Sequence, residues 1–371
     1  MRRRVQGEHG NYMIVYFVKT APRAMGGRRG ALRLVGGRIG LGGQDRGDAS
    51  ISRAAITVCP LRLPLDLPGR SFSLIGRNIA THRLSSMKPV SFRYFAPRTV
   101  DQALELLATH GGEGKILAGG QSLVPAMNFR LARPASLIDI NRIDSLDYVR
   151  EDEGELRIGA LARHARFEGP VAGGALGAFL PRVARHIGHL PIRTRGTFCG
   201  SIAHADPASE WCLLAATLDA GFLVVSRRGR RNVRPSEYFV GALTTILEPD
   251  ELLTEIRLPL LGEDWRTGFA EFSRRAGDFA LAMCAAFLRF EDERIVEARI
   301  GLGGATDRPS RIAAAEALLT GSEGAPDIFR EAGNIAAETI DPLEDIHASA
   351  EYRRDLVRAM VARALDQASA R

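Results

Sequence analysis

Two glycine-rich turns constrain this chain more than any other feature: Ala118 to Ser122, which follows the strand candidate KIL, and Thr197 to Ser201, in the stretch IRTRGTFCGSIAHADPASE. Glycine lets backbone turn sharply and approach a ligand closely, and consecutive N–H groups in such a turn form an anion-binding concavity. Gly119, Gly120, Gln121 and Ser122 supply one such turn after a strand, and Gly200 and Ser201 supply the second. Either turn alone also fits an ordinary loop. No GxxxxGK[ST] or GxGxxG spacing is present around the other paired glycines at 26–27, 36–37 and 42–43.

Around these turns the pattern alternates. TVDQALELLAT predicts a helix over 99–109, with Asp101 in its first turn and glycines 111 and 112 as its stop. LIDINRI at 137–143 and ELRIGAL at 155–161 predict strands, completing a small α/β unit. A helical period follows in the second half of PVAGGALGAFLPRVARHIGH, and a further helix is expected from Pro207, with Glu210 in its first turn. AGFLVVSRRGRRNV reads as two strands around Gly229, and a strand ends near Pro259, where a domain boundary is expected. Beyond it, AAFLRF and VEARIGLGG read as strands joined at Asp292 to Arg294, with later helices in AAAEALLTG and YRRDLVRAMVARALDQA.

Charge separates the first 86 residues from the rest. They hold 15 Lys and Arg against 4 Asp and Glu and 13 of the 39 glycines, leaving 35 against 39 for residues 87–371. The main body is therefore mildly acidic, which removes the premise for binding nucleic acid through a basic folded face. The leader's glycine content and isolated apolar stretches predict disorder. A targeting segment, a basic arm, a folded extension and a dispensable leader remain open for it. No apolar run reaches the length of a membrane span. Cys59, Cys199, Cys212 and Cys284 lack CxxC or Cys/His spacing, so no metal site is expected on this chain and a reducing, cytoplasmic compartment fits. His186, His189 and His204 are close in sequence without a metal-ligand spacing.

The stretches ILAGGQSLVPAMNFRLARPASLIDINRI and HIGHLPIRTRGTFCGSIAHADPASE resemble, in order, the two FAD-binding motifs of the medium subunit of the carbon monoxide dehydrogenase and xanthine dehydrogenase family. FSRRAGDFALA and RIGLGGATDRPSRIAAAEALLTG are similar to that family's C-terminal flavoprotein domain, so the resemblance runs from about Met87 to the chain end. It implies an α+β protein: a two-lobed vanillyl-alcohol-oxidase-type FAD-binding fold, over 87–145 and 146–262, then a C-terminal flavoprotein α/β domain over 263–371. It implies FAD as cofactor, with a small [2Fe-2S] subunit and a large molybdopterin subunit as partners in a heterotrimer or a dimer of heterotrimers. This chain would then pass electrons to an external acceptor.

Residue by residue, the resemblance lays the first phosphate loop on Ala118, Gly119, Gly120, Gln121 and Ser122, with Ile116 and Leu117 along the adenine or pyrophosphate approach. It lays the second on Thr197, Gly200 and Ser201, and the acidic position toward the ribose or ribityl hydroxyls on Glu210, with Asp206 nearby. Cys199 stands where the motif usually has glycine. Arg193 and Arg195 suit phosphate charge or an exposed loop, and Arg274, Arg275 and Asp278 suit a motif role or an ion-pair network. No side chain is expected to act as a catalytic residue. Two other readings are a stand-alone FAD oxidase and a non-catalytic flavin-binding subunit.

Overall fold

The computed structural model describes residues 87–370, and the leader, with Cys59, lies outside the described residues. The first segment runs β1 (Arg93–Phe95), α1 (Val100–His110), β2 (Gly114–Leu117), α2 (Leu123–Asn128) and β3 (Ser136–Asp139), with the strands parallel in the order β1-β3-β2. Thr99 caps α1, its Oγ1 accepting the Gln102 N–H at 3.2 Å, and Ala103, Leu104 and Leu107 form the buried face. The strand expected over 137–143 stops at Asp139. There the Asp139 carboxylate accepts the Asn141 N–H at 2.9 Å and turns 140–142 into a 3₁₀ helix.

The second segment contains β4 (Val149–Asp152), β5 (Glu155–Gly159), α3 (Gly174–Ala184), α4 (Leu190–Arg193), α5 (Phe198–His204), α6 (Glu210–Thr217), β6 (Gly221–Ser226), β7 (Gly229–Val233), α7 (Pro235–Tyr238), β8 (Phe239–Gly241), β9 (Thr244–Thr245) and β10 (Leu252–Pro259). Its five-stranded sheet is antiparallel, ordered β4-β5-β10-β6-β7. The helix expected from Pro207 begins instead at Glu210. Asp206 accepts the Ala208 N–H at 2.9 Å and, through its carbonyl, the Ser209 N–H at 3.0 Å, holding 206–209 as a turn. The β6–β7 reversal lies at 227–228, so Gly229 opens the returning strand.

In the last segment β11 (Trp265–Phe272), β12 (Ala282–Glu291), β13 (Arg294–Gly303) and β14 (Ser310–Arg311) form an antiparallel sheet in sequence order. The expected β12–β13 reversal passes through Asp292 and Glu293, both left-handed. Two helices pack on it, α8 (Ala313–Leu319) and α10 (Ala350–Ser369), and α9 (Pro326–Thr339) packs against both of them. One core joins the first two segments and takes in Phe269, Met283 and Phe287 from this sheet. A second core fills the space between the opposite sheet face and the helices, with Leu302, Val357 and Met360 buried in it. The result is the mixed α+β architecture expected, a bipartite segment followed by a sheet-rich C-terminal one.

Candidate functional site

The two glycine turns meet. A Cβ on Gly119 would lie 2.5 Å from the carbonyl oxygen of Arg195 and 2.6 Å from the Cα of Gly196, so only glycine allows the first turn to rest on the backbone leading into the second. Gly196 is in turn squeezed from the other side, where a Cβ would come within 2.5 Å of His164 Nε2. His164 Nδ1 accepts from the indole N–H of Trp211 at 2.9 Å, and Trp211 stacks on Phe198 with ring centroids 4.6 Å apart. Burial, with Arg163 and Arg193 adding to it, pushes the His164 imidazolium down to about 3. The imidazole is therefore neutral at ordinary pH, with its proton on Nε2, and acts as a rigid spacer behind the second turn.

Side chains reinforce this contact. Asn141 Nδ2 donates to the Ala118 carbonyl at 2.9 Å, and Arg163 bridges outward, donating to Asn141 Oδ1 and to the Arg195 carbonyl, each at 2.5 Å. One polar chain thus ties the carbonyl at the start of the first turn to the carbonyl before the second. His164 N–H donates to Gly196 O at 3.0 Å, and Phe198 N–H donates to Ala162 O at 3.0 Å, which pins the second turn to the segment after β5.

The first turn fits an anionic ligand. Gly120 is left-handed, with φ 70°, and the N–H groups of Gly119, Gly120, Gln121 and Ser122 donate to no acceptor among the described residues. Free loop amides beside a glycine turn are suited to phosphate oxygens. Ile116 and Leu117 end β2 just before it, half-buried. In the second turn Thr197 Oγ1 accepts the Gly200 N–H at 3.0 Å, and Thr197 O accepts the Ser201 N–H at 3.1 Å, so part of that turn's donor set is used internally. Cys199, the departure from glycine, lies in α5 without a positive φ. It is buried, its thiol facing Ile158 O at 3.6 Å, and glycine-only backbone is not required there.

Asp206 and Glu210 lie beyond α5. Loss of solvent raises both carboxyls, and Asp206 acts on Glu210 in the same direction, after a larger contribution from Glu271. No hydrogen bond or ion pair among the described residues ties either acid to residues 118–122. Arg193 is engaged structurally, with Glu168 at 2.5 Å and the Gly188 carbonyl at 3.0 Å. Arg274, Arg275 and Asp278 form no ion pair among the described residues; Arg274 approaches His347 at 3.4 Å. His186, His189 and His204 are likewise not assembled with other ligands: no metal-binding group of three or more His, Cys, Asp or Glu occurs among the described residues. Sequence reasoning missed Asn141, Arg163 and His164, whose contacts span 22 to 47 positions and leave no local spacing to read.

Comparison with known proteins is consistent with this geometry. Residues 90–261 match the family model of the FAD binding domain in molybdopterin dehydrogenase, and residues 267–368 that of the CO dehydrogenase flavoprotein C-terminal domain. The chain is 40% identical to the nicotine 6-hydroxylase medium subunit of Paenarthrobacter nicotinovorans, over 77% of its own length and 100% of that protein. It is 38% identical to the caffeine dehydrogenase subunit beta of a Pseudomonas species, over 77% and 97% respectively. Among solved structures, a carbon monoxide dehydrogenase chain from Hydrogenophaga pseudoflava superposes with a TM-score of 0.73 at 35% identity, covering 76% of this chain and 98% of that one.

Proposed function

The chain belongs to the FAD-binding medium subunits of the carbon monoxide dehydrogenase and xanthine dehydrogenase family, and from that premise we propose that it relays electrons within a molybdenum hydroxylase, from [2Fe-2S] clusters on a small subunit to an external acceptor. It is an oxidoreductase subunit whose cofactor is FAD, and it works with partner subunits. In the proposed assembly a large molybdopterin subunit oxidises the substrate, and the three chains form a heterotrimer or a dimer of heterotrimers.

The observation that carries this reading is the apposition of Gly119 on Arg195 and Gly196, which sets the free amides of the first turn beside the second turn. Gly119, Gly120, Gln121 and Ser122 hold the pyrophosphate through backbone N–H groups, with Ala118, Ile116 and Leu117 lining its approach. Thr197, Gly200 and Ser201 shape the opposing wall, and Asp206 and Glu210 face the sugar and ribityl hydroxyls. When bound, FAD supplies the capacity to take up a pair of electrons and to release them singly or together. The described cysteines do not compete for the relay role: Cys199, Cys212 and Cys284 are buried free thiols whose ionisation burial suppresses. No helix among the described residues is long and apolar enough to cross a membrane.

Reconstitution of the full-length chain with FAD tests the site. One flavin per chain, released intact on denaturation, is the expected result. Gly120→Asp, which sets a side chain and a negative charge at a left-handed position facing the phosphates, is expected to weaken flavin titration by more than about tenfold, the equivalent of 1.4 kcal/mol. Unchanged affinity in that variant removes the first turn from the site.

A further inference from the structure

A cavity of about 430 Å³ opens where the five-stranded sheet meets the C-terminal sheet, and no residue of either glycine turn lines it. Strand register assembles its first wall. Pro259 pairs with Glu155, Arg257 with Gly221 and Phe222 with Val233, so one end of β5, β10, β6 and β7 faces the space. Arg299 on β13 and Arg311 on β14, the partner of Gly301, supply the facing wall. Leu218 and Asp219 close the floor just past the C-terminus of α6, roughly 12 Å of helix from Glu210. A Cβ on Gly221 would touch the Arg257 side chain at 3.6 Å, and its absence leaves the Arg257 stem uncovered on that side.

Four arginines line this space, and a carboxylate holds each by one edge. Arg234 Nη1 donates to Asp219 Oδ2 at 3.2 Å, Arg257 Nε to Glu255 at 2.6 Å and Arg299 Nε to Glu297 at 2.9 Å. Arg311 makes a two-pronged bond to Glu316, at 2.9 Å and 2.8 Å. Arg234 and Arg299 also donate to the carbonyls of Asp219, at 3.0 Å, and Leu218, at 3.4 Å, the favourable place for cations at a helix C-terminus. Donors remain. Nε and Nη2 of Arg234, both Nη of Arg257 and Nη1 of Arg311 have no acceptor among the described residues. Glu255, Glu297 and Glu316 stand outside the wall, which itself carries four guanidinium groups and two carboxylates, Asp219 and Glu155. Those outer acids cancel much of the long-range field, so recognition here rests on donor direction. A guanidinium fixed by one edge with the other edge free is pre-oriented for phosphate or carboxylate oxygens.

We propose that this cavity binds a small hydroxylated phosphate ester, the phosphate on the free N–H groups of Arg234, Arg257 and Arg311 and the hydroxyls on Asp219 and Glu155. Leu218, Val233 and Pro259 add the apolar surface against which the body of such a molecule lies. The volume falls in the range of small-molecule sites, which favour seams between packed units. Since its walls come from two sheets, a bound ester ties the five-stranded sheet to the C-terminal one. The site is separate from the flavin turns and does not depend on the FAD-relay reading.

Isothermal titration of the full-length chain, loaded with FAD so that the flavin turns are filled, tests this with glucose 6-phosphate, AMP and inorganic phosphate as probes. At least one ester should saturate with a Kd of about 1 mM or tighter, at least about tenfold below that of inorganic phosphate. Which ester binds distinguishes a sugar phosphate from a nucleoside phosphate. Arg257→Gln removes two free donors and should weaken that ester by at least about tenfold. Asn232→Asp keeps the fold even if Arg257→Gln does not: Asn232 lines the cavity, its side chain makes no hydrogen bond among the described residues, and the change only adds a negative charge. It should weaken the same ester. Absence of saturable binding by both esters, affinity equal to that of inorganic phosphate, or affinity unchanged in Asn232→Asp overturns the proposal and leaves an ion-pair network alone. A chain that takes up no FAD overturns the relay reading, and the same titrations on the flavin-free chain and Asn232→Asp still decide this one.

Discussion

Gly119→Ala is expected to separate the two glycine turns and weaken FAD binding by about 5- to 150-fold, since forced overpacking costs about 1–3 kcal/mol and 1.4 kcal/mol corresponds to tenfold. The added methyl would meet backbone on both near sides, the Arg195 carbonyl oxygen at 2.5 Å and Gly196 Cα at 2.6 Å. Neither atom can rotate away as a side chain can. Gly196 is itself pressed against His164, which is fixed by its hydrogen bond to Trp211, so the second turn cannot retreat without disturbing the aromatic core. Relief must come from the first turn swinging outward, which breaks the Asn141 to Ala118 hydrogen bond and moves the free amides from the proposed phosphate position. Flavin fluorescence titration of parent and variant measures the effect, and equal affinity would show that the apposition does not build the site.

Arg353→Met is expected to lower the stability of the C-terminal segment by about 2–6 kcal/mol, since two buried carbonyls each lose a donor at about 1–3 kcal/mol apiece. Arg353 lies on α10 with its side chain 3% exposed. It donates to the carbonyls of Leu281 at 2.7 Å and Gly304 at 2.9 Å, and pairs with Asp345 at 2.7 Å. These contacts hold the start of β12 and the end of β13 against the helix. Methionine fills the space while leaving both buried carbonyls without a donor. Urea unfolding followed by circular dichroism reads the change, and a midpoint within error of the parent would mean that water or neighbouring groups replace the guanidinium.

The sequence reveals those elements whose cause is local. The helix over Val100–His110 follows from its cap, its apolar face and its glycine stop, and the β12–β13 hairpin from alternation around a two-residue reversal. The glycine turns are legible because glycine is needed there for backbone reasons, at Gly119 for contact and at Gly120 for a left-handed φ. Less legible is α5, a seven-residue helix inside what reads as a loop, set by the Thr197 cap and by packing of Phe198, Cys199 and Ile202. The strand at 137–143 and the helix from Pro207 are misjudged for one reason: an aspartate side chain, Asp139 or Asp206, captures a nearby N–H and converts regular structure into a turn. The links from Asn141 to Arg163 and from His164 to Trp211 arise from chain folding over long separations, for which no periodicity exists.

Donor-dependent reduction of the bound flavin tests the relay most directly. The full-length chain loaded with FAD is mixed anaerobically with the donor of its complex, first alone and then with the iron-sulfur and molybdenum subunits, and the flavin absorbance is followed. Bleaching is predicted only when both partners are present, because the proposed relay assigns substrate oxidation to the partner subunits. Sustained donor turnover by the metal-free chain alone would contradict the relay and identify a self-sufficient flavin oxidase.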